Sequence, residues 1–167
     1  NMVSLEALLT IYGYDKSIES EWIRMLFEDY HFVPCEEAVP FRDGDIFDLG
    51  NVELRVIHLP GHTWGHCVFH ILPEDVLYLG DIELSSFGPF YGDACSNLVA
   101  FERSLERVRE LEARYYATYH HIGVLDRAGF EKRLEMFIRR IGERELALLE
   151  FLREPKSLDE VVAQRFV

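Results

Sequence analysis

The sequence predicts an α/β protein, on three observations. Residues 51–81 contain three short segments whose apolar residues alternate or run together as they do in β-strands. Apolar residues then recur at helical spacing in two later segments. A third observation is the β-rich segment "YYATYHH" between those two helices. The order of strands, helix, strand and helix is typical of a parallel or mixed sheet covered by helices.

The N-terminal part predicts two short helices, at residues 4–12 and 17–29. In the second helix, Ser17 can act as N-cap, and acidic residues follow in the first turn, where the helix dipole favours negative charge. Residues 31–50 predict a loop and a short strand, with a turn at "RDGD".

The central strands are predicted from three segments in succession. "VELRVIHL" alternates between two faces and ends at Pro60 and Gly61, which interrupt strands. "HCVFHIL" is rich in β-branched and aromatic residues and ends at Pro73. "DVLYLGD" is a short apolar run that ends in a glycine and an acid, as expected of a buried strand.

The C-terminal part predicts three helices. Ser96 is predicted to cap an amphipathic helix that reaches Leu111. A longer amphipathic helix begins near residue 127, although two internal glycines weaken it. Ser157 and Glu160 have the spacing of a capping box at the start of a last helix.

Composition excludes several classes of function. Thirty acidic residues against 17 basic ones give a net charge of −13, which would repel a nucleic-acid backbone. No apolar run approaches the ~18 residues of a membrane helix, and no signal peptide is recognisable. The three cysteines are scattered, which indicates reduced thiols. We therefore expect a cytoplasmic protein that binds neither nucleic acid nor a membrane.

The segment "HLPGHTWGHCVFH" places four histidines at four-residue intervals. A helix would align them, but an interior proline costs a helix ~3 kcal/mol and each glycine ~1 kcal/mol. The alternative is a strand, a glycine-rich turn and a second strand that begins at His66. Asp81 ends the next strand, and the pair His120 and His121 ends another. Because strand ends can converge on one edge of a sheet, these residues predict a site.

In order and spacing, "PGHTWGH", "LYLGD" and "YHHIG" resemble the second half of a metallo-β-lactamase-fold hydrolase of the glyoxalase II-like branch. The resemblance implies that His66, Asp81 and His121 are metal ligands, with His120 as the alternative to His121. Asp81 would bridge two ions and serve catalysis. For His62 two roles remain open: support of His66 behind the metal, or a purely structural hydrogen bond.

The resemblance also implies the chemistry. Complete family members hold one or two ions, usually zinc and sometimes iron or manganese, which activate water for attack on a thioester or ester carbonyl. The substrate would be a small molecule, and acyl-carrier thioesters are the first expectation. Phe87, Phe90 and Tyr91 follow Asp81 in a glycine-rich loop, which either lines the substrate pocket or packs as an ordinary loop.

One element of the family pattern is absent: no His-x-His-x-Asp-His segment occurs in the sequence. We therefore expect only about the C-terminal half of an αββα sandwich at 1–141, and the start of a helical, winged-helix-like extension at 142–167. The initial "NM" fits either a cloning remnant or the interior of a longer chain, so a fragment and a shortened relative are both expected possibilities. A bare sheet face predicts self-association.

Two other functions compete with the hydrolase. The first is an iron-binding oxidoreductase of the flavodiiron or sulfur dioxygenase type, which would use the same ligands for iron. The second is a truncated, non-catalytic homologue that acts as an interaction module. Bound iron with oxygen-dependent activity would identify the first, and the lack of stoichiometric metal would identify the second.

Overall fold

The structure is a computed structural model, and it describes residues 24–33, 35, 37–93, 95–120 and 122–166. The chain divides into two compact units, 1–40 and 41–167. In the described part of the first unit, Met25–Asp29 form one π-helical turn. The helix predicted at 4–12, and most of the one predicted at 17–29, lie outside the described residues.

A six-stranded sheet forms the framework of the second unit, with the strands in sequence order. They are β1 (Ile46–Asp48), β2 (Glu53–His58), β3 (Cys67–Leu72), β4 (Val76–Tyr78), β5 (Tyr115–Ala117) and β6 (Val124–Leu125). Neighbours pair antiparallel except for β4 and β5, which are parallel. The mixed sheet and its helices confirm the predicted α/β class. Strand β6 was not predicted, since two residues carry no periodic signal.

Helix α1, Leu98–Glu110, makes the crossover between the parallel strands, as such pairs require. Its N-cap is Asn97, whose side-chain oxygen accepts a hydrogen bond from the backbone N–H of Ala100 at 2.9 Å. The prediction that Ser96 caps this helix is therefore wrong. The hydroxyl of Ser96 instead donates to the carbonyl oxygen of His62 at 2.7 Å, which ties the helix start to the histidine turn.

Helix α2 runs without interruption over Arg127–Phe151, and α3 covers Leu158–Gln164. The capping box of Ser157 and Glu160 is present at the start of α3, as predicted. The internal glycines do not break α2, because its buried stripe of Phe130, Leu134, Phe137 and Ile141 holds it against the core. The division of the chain at 141/142 falls within α2 and stays a prediction.

The core lies between one face of the sheet and helices α1 and α2. Its buried side chains include Val68, Leu77 and Tyr116 from the sheet, with Phe101 and Phe130 from the helices. The rings of Tyr116 and Phe130 stack with centroids 3.9 Å apart. This packing fixes the strand ends that carry the site.

The opposite face of the sheet is apolar as well. Strand register places Phe69 beside Tyr78 on that face, and the ring of Phe41 contacts those of Phe47 and Phe69 at centroid distances of 6.0 and 6.2 Å. Phe41 and Phe47 are 45% and 39% exposed. Apolar side chains are thus available for contact on this face. In the described part of the chain, no helix is long and apolar enough to cross a membrane.

Candidate metal centre

His66 lies in the turn of the β2–β3 hairpin, directly before β3, and is 6% exposed. Its Nδ1 donates to the carbonyl oxygen of Leu59 at 2.9 Å, and its Nε2 accepts the backbone N–H of Asp81 at 3.1 Å. Burial, the largest influence, lowers the pKa of the His66 imidazole. The ring is therefore held neutral, with the Nε2 lone pair directed towards residue 81. A carbonyl behind Nδ1 is the usual support of a histidine that binds metal through Nε2.

Gly80 makes this approach possible. Its φ of +55° lies in the left-handed region, and a Cβ built on it would lie 2.9 Å from His66 Nε2. Any side chain at residue 80 would therefore displace the imidazole. The glycine of the predicted "LGD" motif has a specific steric role at the end of β4.

Along the segment after β4, the side chains are alternately buried in the core and partly exposed at the site. Ile82 and Leu84 are buried, whereas Asp81 and Glu83 are partly exposed. Asp81 Oδ2 lies 3.7 Å from His62 Nε2, and Glu83 Oε1 lies 3.4 Å from the Nε2 of His120. The hairpin turn, the β4 end and the β5 end thus meet at one edge of the sheet, as the sequence predicts.

Asp81, Glu83 and His120 form a possible metal-binding group, in which the ligand atoms lie within 4.8 Å of one another. His66 is not in this group, although its ring contacts the backbone of Asp81. His121 lies outside the described residues, so its assignment as a ligand stays a prediction. Glu83 was not predicted. The alternation of acidic and apolar residues in "DIEL" was the available signal, since it places both carboxylates on one side.

Two cavities border Asp81. One, of about 320 Å³, is lined by His62, Asp81, Glu83, Phe87, Gly88, Phe90, His120 and Phe137. The other, of about 390 Å³, includes His66 and Asp81 in its lining. Asp81 is therefore accessible from both spaces, with His66 facing one and the Glu83–His120 pair facing the other.

His62 lies beside the acidic cluster. Its Nδ1 is 3.1 Å from the carbonyl oxygen of Phe90, and its ring centroid is 6.0 Å from that of His66. A carbonyl oxygen only accepts, so Nδ1 carries the proton and Nε2 faces Asp81. His62 thus joins the histidine turn to the loop after β4 and lies next to the Asp81 carboxylate, and its part in metal binding stays open.

The outer two histidines of the segment have other partners. His58 Nε2 donates to the carbonyl oxygen of Trp64 at 2.8 Å, within the hairpin turn. His70 Nε2 lies 2.7 Å from Asp75 Oδ1, a contact that lowers the pKa of Asp75. The His58 contact stabilises the turn between β2 and β3, the His70 contact joins β3 to the turn before β4, and both imidazoles lie outside the metal-binding group.

The loop at 85–91 is held from helix α2 by Arg144, which is 8% exposed. Its guanidinium donates to the carbonyl oxygens of Pro89 and, at 2.7 Å, Phe87. The same group lies over the rings of Phe87 and Tyr91, at 4.7 and 5.4 Å. Of the three predicted pocket residues, Phe87 and Phe90 line the cavity, whereas Tyr91 packs against the core and Arg144. Arg144 was not predicted, since an arginine on a helix is normally solvated.

The donor set fits a divalent metal ion. Neutral imidazole nitrogen suits zinc and iron, and carboxylate oxygen also suits manganese. Two carboxylates and one imidazole lie together at this edge, and the His66 ring lies beside them with its Nε2 accepting the Asp81 backbone N–H. The chemistry of these side chains therefore supports a metal site without identifying the metal.

Comparison with known proteins gives the family of the chain. The metallo-beta-lactamase superfamily model matches residues 4–121. A hydroxyacylglutathione hydrolase of Methylococcus capsulatus is 37% identical over 87 residues, which are 51% of this chain and 32% of that protein. An atrochrysone carboxyl ACP thioesterase of a Cryptosporiopsis species is 25% identical over 135 residues, or 80% of this chain and 39% of that one.

The fold has a solved counterpart. A crystal structure of a metallo-beta-lactamase family protein from Thermus thermophilus superposes with a TM-score of 0.67 at 29% identity, and the match covers 90% of this chain and 54% of that one. The chain thus spans less than half the length of the two curated relatives and about half that of the solved structure. The family match extends over most of the chain and includes the histidines and the aspartate of the three motifs, so the chain belongs to the metallo-beta-lactamase superfamily.

Proposed function

We propose that this chain carries part of the active site of a metal-dependent hydrolase that cleaves a thioester or ester. The main support is the position of Asp81, which lies between His66 on one side and the Glu83–His120 pair on the other. Two of the matched relatives are named as a hydroxyacylglutathione hydrolase and an ACP thioesterase. An acyl-carrier thioester is accordingly the substrate class that we favour.

A bound metal ion would supply a water with a pKa near ~7 and polarise the scissile carbonyl. His66, Asp81 and a histidine of the 120–121 pair would hold it, with zinc as the first candidate. The Leu59 carbonyl keeps His66 in the tautomer whose Nε2 carries the lone pair, and a metal ion would take the place of the Asp81 backbone N–H that Nε2 now accepts. His62 borders the site, with its Nε2 3.7 Å from Asp81 Oδ2, while its Nδ1–H donates to the carbonyl oxygen of Phe90. These contacts fix the site before a substrate binds.

The lining of the cavity beside Asp81 is suited to an apolar acyl group of the substrate. Phe87, Phe90 and Phe137 line it opposite the acidic residues, and its volume of about 320 Å³ suits a small molecule. The polar end would hold the reacting carbonyl while the three rings contact the acyl chain. We also propose a cytoplasmic location, for which the three free thiols are the support.

The test is thiol release from an acyl thioester by the purified chain supplied with zinc, manganese or iron. Asp81→Asn should reduce the rate at least ~100-fold, because even residues that only support a metal ligand cost 10–100-fold when changed. Asp159→Asn in the first turn of α3 is the matched control and should leave the rate unchanged. Equal rates for Asp81→Asn and the parent chain would contradict the proposal.

The same preparation separates the two competing functions. The donor set also suits iron, so bound iron with oxygen consumption and no thiol release would favour an oxidoreductase. A chain that retains no metal after dialysis, yet binds a partner equally well with His66→Ala, would favour an interaction module.

A further inference from the structure

We propose that Glu83 is a metal ligand, and that Asp81, Glu83 and His120 together hold one divalent cation. The proposal builds on the metal-dependent function argued above for the same site. It adds a ligand that the sequence motifs do not contain. It also makes one ion site independent of the absent His-x-His-x-Asp-His segment.

The distances between the donor atoms fit a shared ion. Glu83 Oε1 and His120 Nε2 are 3.4 Å apart. Two neighbouring ligands that each lie ~2.1 Å from one ion are ~3.0 Å apart in an octahedral shell and ~3.4 Å apart in a tetrahedral one, so this pair needs at most a small movement to share an ion. All three ligand atoms lie within 4.8 Å of one another, so small side-chain rotations bring the Asp81 oxygen into the same shell.

The charges at this edge also favour a cation. Among the described residues, the basic side chains within 4 Å of the Asp81 and Glu83 carboxylates are the imidazoles of His62 and His120, and no lysine or arginine pairs with either carboxylate. Two carboxylates this close repel each other. A divalent ion between them removes the repulsion and neutralises both charges.

Glu83 is not an ordinary solvated carboxylate. Its side chain is 25% exposed, and the neighbouring Ile82 and Leu84 are 0% and 1% exposed in the core. Those two anchors fix the backbone on either side, so the carboxylate points into the cavity lined by Phe87, Phe90 and Phe137. Apolar walls strengthen the attraction between a carboxylate and a cation.

The composition of the site indicates the class of metal. Two carboxylates and one imidazole form an oxygen-rich donor set. Such a set suits manganese or ferrous iron, whereas a histidine-rich set would suit zinc. His66 contributes no atom to this group, because its Nε2 accepts the Asp81 backbone N–H. We therefore expect one Mn²⁺ per chain at this site, with water completing its coordination.

The test is to measure Mn²⁺ binding to the purified chain by calorimetry and by the electron paramagnetic resonance signal of the free ion. We expect a stoichiometry of one and an affinity at least ~10-fold weaker in Glu83→Gln. Glu102→Gln on the exposed side of α1 is the matched control and should bind as the parent does. His120→Gln should weaken binding by a similar factor, whereas His121→Gln should not.

Circular dichroism melting curves establish that each variant is folded before its binding is compared. The proposal is overturned if the parent shows no saturable Mn²⁺ binding, or if Glu83→Gln binds as tightly as the parent. A chain that binds Mn²⁺ through Glu83 but releases no thiol would refute the hydrolase function and leave this ligand assignment standing. Thioester hydrolysis that is unaffected by Glu83→Gln would refute the assignment of Glu83 as a ligand and leave the hydrolase function standing.

Discussion

At residue 80, the absence of a side chain allows His66 to reach Asp81. Gly80→Ala would place a methyl group 2.9 Å from His66 Nε2, at a φ of +55° that L-residues adopt at a cost. We expect the variant to lose about 1–3 kcal/mol of unfolding free energy. Displacement of the ring should also weaken zinc binding 10–100-fold, as the loss of a supporting contact does. Urea unfolding and a zinc titration measure the two effects.

Gly142→Ala provides the control for this variant. Residue 142 lies inside helix α2, and a Cβ there meets nothing within 4 Å. Alanine should therefore stabilise the chain by about 0.5–1 kcal/mol through helix propensity and leave zinc affinity unchanged. If Gly80→Ala matched Gly142→Ala in both measurements, the proposed steric role of Gly80 would be rejected.

Single residues also show what the sequence could predict of the site. His66 and Asp81 were found because each lies next to a recognisable strand in a glycine-containing motif, and the structure brings them into contact. Glu83 was missed because it has no motif of its own and is defined by the burial of its neighbours. Arg144 was missed because its partners are backbone carbonyls 55 and 57 residues away, a distance no local pattern spans.

At the scale of elements, helix α2 positions the loop that lines the cavity. Arg144→Met removes the donors to the carbonyl oxygens of Phe87 and Pro89 while keeping much of the side-chain volume. We expect a loss of about 2–4 kcal/mol in unfolding free energy, since charged hydrogen bonds contribute ~1.5–3 kcal/mol each and are not additive. Chymotrypsin should then cleave faster at the aromatic residues of the loop at 85–91.

Arg139→Met tests whether the effect belongs to residue 144 or to any arginine of α2. The Arg139 side chain is 64% exposed and pairs with Glu143 four residues later. Exposed pairs of this kind contribute little, so this variant should change stability by no more than ~0.5 kcal/mol and leave cleavage of the loop unchanged. Equal cleavage rates in the two variants would show that Arg144 does not hold the loop.

The elements themselves followed local rules to different degrees. The capping box of α3 and the strands β2 and β3 were predicted because caps, alternation and β-rich composition are encoded within a few residues. The cap of α1 was placed one residue early, since Ser96 and Asn97 are both good N-caps. What decides between them is tertiary: Ser96 is engaged by the carbonyl oxygen of His62.

For the whole molecule, the sheet has one covered and one partly exposed apolar face. The covered face packs on α1 and α2, and the other carries the contact group of Phe41, Phe47 and Phe69. Side chains alternate between the two faces of the sheet along each strand. The sequence therefore predicts which residues share a face of the sheet, but not what covers that face. The family fold was predictable from motifs, because they occur at strand ends whose order the topology fixes.

We predict that the chain self-associates through this second face. Phe47→Glu places a charge on a side chain that is 39% exposed and should shift the species seen by light scattering after gel filtration towards monomer. The net charge of −13 opposes contact between copies, so added salt should promote association of the parent chain. Leu146→Glu, at a side chain that is 69% exposed on α2, is the control and should leave the oligomeric state unchanged. A parent chain that stays monomeric across protein concentration and salt would refute this prediction, because the apolar face would then be tolerated in water without a partner.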